Sequence, residues 1–182
     1  MILTNVRLNW IKFPNDAGKY SICILVPKNS TSATNLLAAA AAAKESGINR
    51  KKFTKAQANS SNFKSGIRDG DIEAAEETQP ADYKGHWFIN LSNVNPPGVV
   101  YANNTPASYN ILYPGCYGHV DVDIYPFYNQ KENARGITGS INNIMFVRDG
   151  ERLDGRPPAQ SATDAFANFA TDTPDESASD EG

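Results

Sequence analysis

The chain has 182 residues, 40% of them hydrophobic and 20% charged, with a formal net charge of −3; this is the balance of one globular domain, not of a disordered chain. No apolar run approaches the ~20 residues that cross a bilayer, and the opening MILTNVRLNW lacks the basic-then-apolar order of a secretion signal. Two cysteines and two histidines in no zinc-ligand spacing exclude a zinc module, and no metal or other cofactor is expected.

Ile2 to Phe13 alternates, with Val6, Leu8 and Trp10 on one side and Arg7, Asn9 and Ile11 on the other, so a strand with a buried Trp10 is expected. The turn Asn15-Asp16-Ala17-Gly18 joins it to a second alternating run, Tyr20 to Val26. Ser30 to Ser32 offers N-caps for a helix through Leu36, Leu37 and the six alanines 38–43, with Gly47 as its expected stop. Six alanines favour the helix and read out little chemistry, so the helix is taken as scaffold.

Residues 50–68 hold six bases (Arg50, Lys51, Lys52, Lys55, Lys64, Arg68), two aromatics (Phe53, Phe63) and no acid, whereas residues 69–82 hold six acids and no base. Strands are expected again over 86–91, 99–101, 116–128 and 137–148, separated by Gly, Pro and Asn turns. Trp87 shares a face with Ile89 and Leu91 and is expected in the core. Cys23 and Cys116 sit in strand-like runs and are expected as buried free thiols of a reducing cytoplasm.

The last twelve residues carry five of the twenty acids (Asp172, Asp175, Glu176, Asp180, Glu181) and no base, which leaves fifteen acids against seventeen bases in the body. A weakly basic, aromatic-rich body with a polyanionic end suits a nucleic-acid binder whose tail occupies the phosphate groove or recruits basic partners. The plain alternative is a solubilising disordered end.

The basic block is the sharpest local signal. Cations attract phosphates, and exposed rings stack bases of a single strand at roughly 1–3 kcal/mol each. Phe53 and Phe63 amid the cations fit that role, against the alternative that both anchor a solvated loop. Tyr117 and Tyr125 lie opposite the Val120, Val122 and Ile124 face and extend the candidate platform. Asp121 and Asp123 on their own face would repel phosphates. With His119 these two give a rival, enzymatic reading: three potential ligands at i, i+2 and i+4 of a strand, ~7 Å apart, that could hold Mg²⁺ or Mn²⁺ for phosphodiester hydrolysis. No P-loop, nucleophile elbow or Gly-rich dinucleotide fingerprint accompanies it, and a non-enzymatic binder is expected.

Six stretches in order, KYSICILVPK (19–28), IRDGD (67–71), GHWFIN (85–90), PPGVVY (96–101), YPGCYGHVDVDIYPFY (113–128) and GITGSINNIMFVRDGERLDGR (136–156), resemble the single-stranded DNA-binding proteins of tailed bacteriophages. Phe166 and the acidic end match in kind. The resemblance implies an elaborated OB-fold β-barrel, mainly β, that binds single strands with little regard to sequence during replication or recombination in the cytoplasm of an infected bacterium. The expected organisation is an OB-fold-like domain over 1–156, with one helix after the second strand, and a flexible segment over 157–182 ending in a disordered acidic tail, 171–182. The expected partners are single-stranded DNA and, through the tail, phage or host replication and recombination proteins, with no membrane. A phage structural or adaptor protein docked by its tail is the third reading.

Overall fold

The structure is a computed structural model that describes residues 1–157 and 165–167. It is mainly β, with strands β1 (Ile2–Lys12), β2 (Tyr20–Pro27), β3 (Lys64–Ser65), β4 (Ile67–Asp69), β5 (His86–Asn93), β6 (Gly98–Tyr101), β7 (Tyr117–Asn129) and β8 (Ala134–Arg148). The helices are α1 (Thr31–Asn49), α2 (Lys55–Ala58) and α3 (Gly70–Ala75). One eight-stranded sheet runs β3-β8-β7-β1-β2-β5-β4, with β6 paired to β8. β5 and β8 approach across the remaining gap, where the Asn93 side-chain amide donates to the Ile141 carbonyl at 2.9 Å, so the sheet nearly closes into a barrel. Among the described residues no helix is long and apolar enough to cross a membrane.

The alternating positions fill the barrel as their period demands. Leu3, Val6 and Leu8 of β1, Ile22, Ile24 and Val26 of β2, Ile89 and Leu91 of β5, Val120 and Val122 of β7, and Ile141 and Ile144 of β8 form one core. Helix α1 starts at the expected N-cap, where the Ser30 hydroxyl accepts from the Ala33 N–H, but it continues past Gly47 to Asn49. Gly47 is a packing position instead of a stop. It lies buried against the Phe53 ring, and a Cβ there would overlap that ring.

A second, smaller core lies on the other side of β2. Cys23 and Leu25 pack with Phe88 of β5, with Tyr83 from the chain after α3, and with Leu153 from the chain after β8. Tyr83 and Phe88 meet edge to face at 4.7 Å. Burial pushes the Cys23 thiol up to about 11, and it raises the Cys116 thiol as well. Both cysteines are buried and free, as expected.

The segment that delivers Tyr83 is tied to β2 by charge. The Lys28 ammonium at the end of β2 bonds both Asp69 and Asp71 and lies 4.7 Å from the Trp87 ring. Asp69 caps α3 through the Asp71 N–H, and Asp71 also accepts from the Gly85 N–H at 2.7 Å. The first acids of the acidic block are therefore spent on a structural clamp. The Lys28 hydrogen bond holds both carboxyls below their ordinary value. Desolvation opposes the Lys28 charge, but the hydrogen bonds it donates to the two aspartates outweigh it and raise its pKa.

The direction of these shifts sets a pH window. Depressed carboxyls contribute stability that is present above their unfolded value of 3.8 and lost as pH falls through the folded values. The raised Lys28 contributes below its unfolded value of 10.5 and loses that contribution as pH rises through its folded value. Lys28→Met is expected to lower the thermal midpoint at neutral pH, with the gap to the parent closing in strong acid. A gap that persists unchanged at pH ~2, below the unfolded carboxyl range, would show that the clamp is not electrostatic.

Candidate nucleic-acid interface

Strand register assembles a row that no local stretch of sequence displays. Arg148 pairs with Tyr117, Tyr117 with Arg7, Arg7 with Leu25, Leu25 with Phe88, and Phe88 with Arg68. These six residues run across β8, β7, β1, β2, β5 and β4 on the outer wall of the barrel. The Arg148 guanidinium lies 3.5 Å from the centroid of the Tyr117 ring, Arg7 lies 5.7 Å from the same ring, and Arg68 lies 4.3 Å from Phe88. Cation–π attraction holds each guanidinium against a ring.

The chain after β8 folds back across this wall. The Leu153 N–H donates to the Pro114 carbonyl at 2.9 Å, and Arg7 donates to the Glu151 carbonyl at 2.8 Å. Arg152 lies 4.8 Å from the Tyr113 ring and forms a two-point pair with Asp154, at 3.0 and 2.8 Å. That pair lowers the Asp154 carboxyl to about 2. Arg156 beyond it is 80% exposed. The YPGC and RDGERLDGR stretches thus bind each other and add two arginines beside Arg7 and Arg148.

Trp10 departs from expectation. It is 51% exposed, not buried with Val6 and Leu8. The β1–β2 register shifts between Asn9 and Lys12, and Trp10 takes a left-handed backbone, φ 46°. For a bulky residue that conformation is a genuine outlier, and such bulges re-aim side chains. Trp87, expected in the core, is half-buried and packs against it.

The basic block lies elsewhere, around the end of α1. Arg50, Lys51, Lys52, Lys55 and Lys64 are all exposed. Phe53 is corrected from stacking platform to anchor: it is 3% exposed, seated on Gly47, with the Phe63 ring edge to face at 5.1 Å. Its apolar ring gains more from that packing than from water. Phe63 is half-buried, with the Lys44 ammonium 5.5 Å from its ring. Arg68, grouped with this block by sequence, belongs to the outer-wall row. Tyr125, 41% exposed, lines a groove between α1 and β7 together with Arg50. Tyr117 is eight residues away on β7, roughly 26 Å along the strand, so the two tyrosines serve different regions. The tail residues Asp172, Asp175, Glu176, Asp180 and Glu181 lie outside the described residues.

The His119, Asp121 and Asp123 face does not assemble an ion site. His119 Nδ1 accepts from the Asn5 N–H at 3.1 Å, Asp121 accepts from Asn143 at 3.0 Å, and Asp123 accepts from Asn142 at 2.9 Å. Among the described residues no three His, Cys, Asp or Glu converge in a way that could hold a metal. The donors on these carboxylates are asparagines of β8, with the Met1 ammonium a further partner 3.4 Å from Asp121.

The sequence model of a family described as "Enterobacter phage Enc34, ssDNA-binding protein" matches residues 1–178. Among solved structures, the chain is similar to the single-stranded DNA-binding protein from bacteriophage Enc34 in complex with ssDNA, at 20% identity and a TM-score of 0.63, covering 84% of this chain and 88% of that one. It is also similar to gp2.5, a single-stranded DNA binding protein encoded by bacteriophage T7, at 10% identity and a TM-score of 0.59, covering 94% of this chain and 92% of that one. At these identities the likeness is one of fold. Protein p50 of Acyrthosiphon pisum secondary endosymbiont phage 1 is 31% identical over 91 residues, 49% of this chain and 45% of that protein, so the match spans less than half of that relative's length.

Phe53→Ala is expected to cost stability, about 3 kcal/mol as for a core aromatic, seen as a lower denaturation midpoint. Lys51→Ala with Lys52→Ala is expected to leave stability within about 0.5 kcal/mol of the parent, as exposed sites do. Equal effects of the two changes would remove the distinction between anchor and surface.

Proposed function

The chain belongs to the Enc34 single-stranded DNA-binding protein family, and from that premise we propose that it binds single-stranded DNA along the outer wall of its barrel, with little regard to sequence. The observation that carries this reading is the row Arg148, Tyr117, Arg7, Leu25, Phe88, Arg68 and its neighbours Arg152 and Arg156. Guanidiniums meet phosphates by charge-assisted bonds, and the half-buried Tyr117 and the exposed Trp10 offer ring faces to unstacked bases. A guanidinium already laid on a ring loses less freedom when a phosphate arrives, which favours binding. A duplex keeps its base faces hidden, so the same surface favours single strands.

The exposed cations Arg50, Lys51, Lys52, Lys55 and Lys64, with Tyr125, form a second basic surface that lengthens the path for the backbone. The domain unit is residues 1–156, and the segment 157–182 follows it. The acidic tail competes with phosphates for the basic surfaces, and it docks basic replication or recombination proteins when DNA displaces it. The protein acts in the cytoplasm of the infected host as a binder, not an enzyme. The bonded state of His119, Asp121 and Asp123 supports that over the nuclease reading.

Titration with single-stranded DNA across salt concentrations tests the reading. Each phosphate deprived of its cationic partner is expected to flatten the slope of log K against log salt by ~0.7. Arg148→Ala should therefore weaken binding and flatten the slope by about that amount at unchanged thermal midpoint. Wild-type affinity and slope in Arg148→Ala, with tighter binding to duplex than to single strands, would sink the outer-wall reading.

Deleting residues 171–182 is expected to raise affinity at low salt and to matter little at ~1 M, where the Debye length falls to ~3 Å. Equal affinities of the full and shortened chains at low salt would leave the tail only partner docking or solubility.

A further inference from the structure

Beside Trp10 the outer wall holds a recess of about 160 Å³, lined by Trp10, Cys23, Arg68, Gln79, Tyr83 and Asn90. Pockets for drug-sized ligands run ~300–1,000 Å³, so this one suits a single planar ring. We propose that it takes one nucleobase of the bound strand, a pyrimidine, with the Trp10 indole as its stacking wall; the inference rests on the DNA-binding reading above.

The indole is held out by a fixed device. The Asn9 side-chain oxygen accepts from the Trp10 backbone N–H at 2.8 Å, and the Asn9 side-chain amide donates to the Tyr83 hydroxyl at 3.1 Å. Tyr83 is 5% exposed and packed on Phe88, so the left-handed turn at Trp10 is braced by the second core. Strained backbone that the surroundings enforce concentrates at binding sites. The Lys12 ammonium, 4.9 Å from the indole, stands ready for the phosphate of a base stacked there.

The polar lining sets the chemistry. Arg68 brings donors only, and its side chain is 40% exposed beside Glu73 at 3.3 Å. Asn90 is exposed and Gln79 half-buried, and each amide brings two donors and one acceptor. Donors outnumber acceptors, which suits an edge rich in carbonyl and ring-nitrogen acceptors. Both pyrimidines present the O2 carbonyl, cytosine with its N3 acceptor beside it and thymine with an N3–H that a side-chain amide oxygen accepts, and the small volume disfavours the two-ring purines. The rest of the wall meets phosphates and ring faces, so the preference is confined to one base per bound protein.

The test uses the full chain and oligodeoxynucleotides of one length: oligo-dT, oligo-dC and oligo-dA. The parent is expected to bind oligo-dT and oligo-dC more tightly than oligo-dA, with quenching of tryptophan fluorescence. Trp10→Ala should lose affinity for oligo-dT about 10-fold at unchanged thermal midpoint, and Trp10→Phe should recover most of it. Because Trp87 is the one tryptophan left in either variant, the quenching should vanish in both. Asn90→Ala with Gln79→Ala should bring oligo-dT affinity down to that for oligo-dA. A parent that binds all three equally, or a Trp10→Ala variant that binds as the parent does, overturns the pocket while leaving the DNA-binding reading intact. A parent that binds none of them overturns the DNA-binding reading, and the pocket with it.

Discussion

Strand β2 is apolar on both faces, and the rest of the architecture follows from covering it twice. Ile22, Ile24 and Val26 turn into the barrel, while Cys23 and Leu25 turn outward and are just as buried. A fully buried leucine is worth roughly 1.5–3 kcal/mol over an exposed one, so an uncovered outer face would forfeit that. The cover comes from two distant segments, one bringing Tyr83 and the other Leu153. The Lys28 clamp on Asp69 and Asp71 fixes the first, and backbone bonds from Leu153 to Pro114 and from Arg7 to Glu151 fix the second.

That cover also shapes the proposed binding wall. Where Tyr83 and Leu153 close over Leu25 and Phe88, the wall is filled with apolar groups. On either side of the cover, cations and rings stay accessible, with Arg148, Tyr117 and Arg7 towards β7 and β8, and Trp10, Arg68 and Asn90 towards β4 and β5. The hydroxyl of Tyr83 reaches Asn9 and so braces the bulge that exposes Trp10. One residue thus serves the second core and the candidate site together. This coupling gives the acidic block a role that its charge alone does not suggest: its first two acids hold the segment that holds the bulge.

The two basic regions differ in how their cations are held. On the outer wall, Arg7, Arg68, Arg148 and Arg152 each lie on an aromatic ring and so have lost much of their rotamer freedom before any ligand arrives. Around the end of α1, Arg50, Lys51 and Lys52 are exposed on a loop anchored by Phe53, and Lys55 is exposed at the start of α2. Preorganised arginines suit defined phosphate positions, and exposed lysines suit diffuse attraction.

The period of two in 2–13, 20–26 and 116–128 determined the barrel strands and their inward faces, because a strand's side chains alternate whatever its neighbours are. The caps and alanines determined α1 for the same local reason. The sequence also showed a basic body joined to an acidic end, since charge counts need no coordinates. The fate of single side chains was not legible. Gly47 stops no helix because Phe53, six residues on, packs where a Cβ would be. Trp10 leaves the face its parity predicts because a bulge shifts the register by a backbone turn that only the β1–β2 pairing reveals. The row from Arg148 to Arg68 joins residues up to 141 positions apart through strand pairing, and pairing is a property of tertiary structure. Sequence proximity had grouped Arg68 with the block at 50–64, whereas β4 pairing with β5 carries it to the opposite group. Local periodicity fixes which way a side chain points, and only the assembled sheet fixes what it points beside.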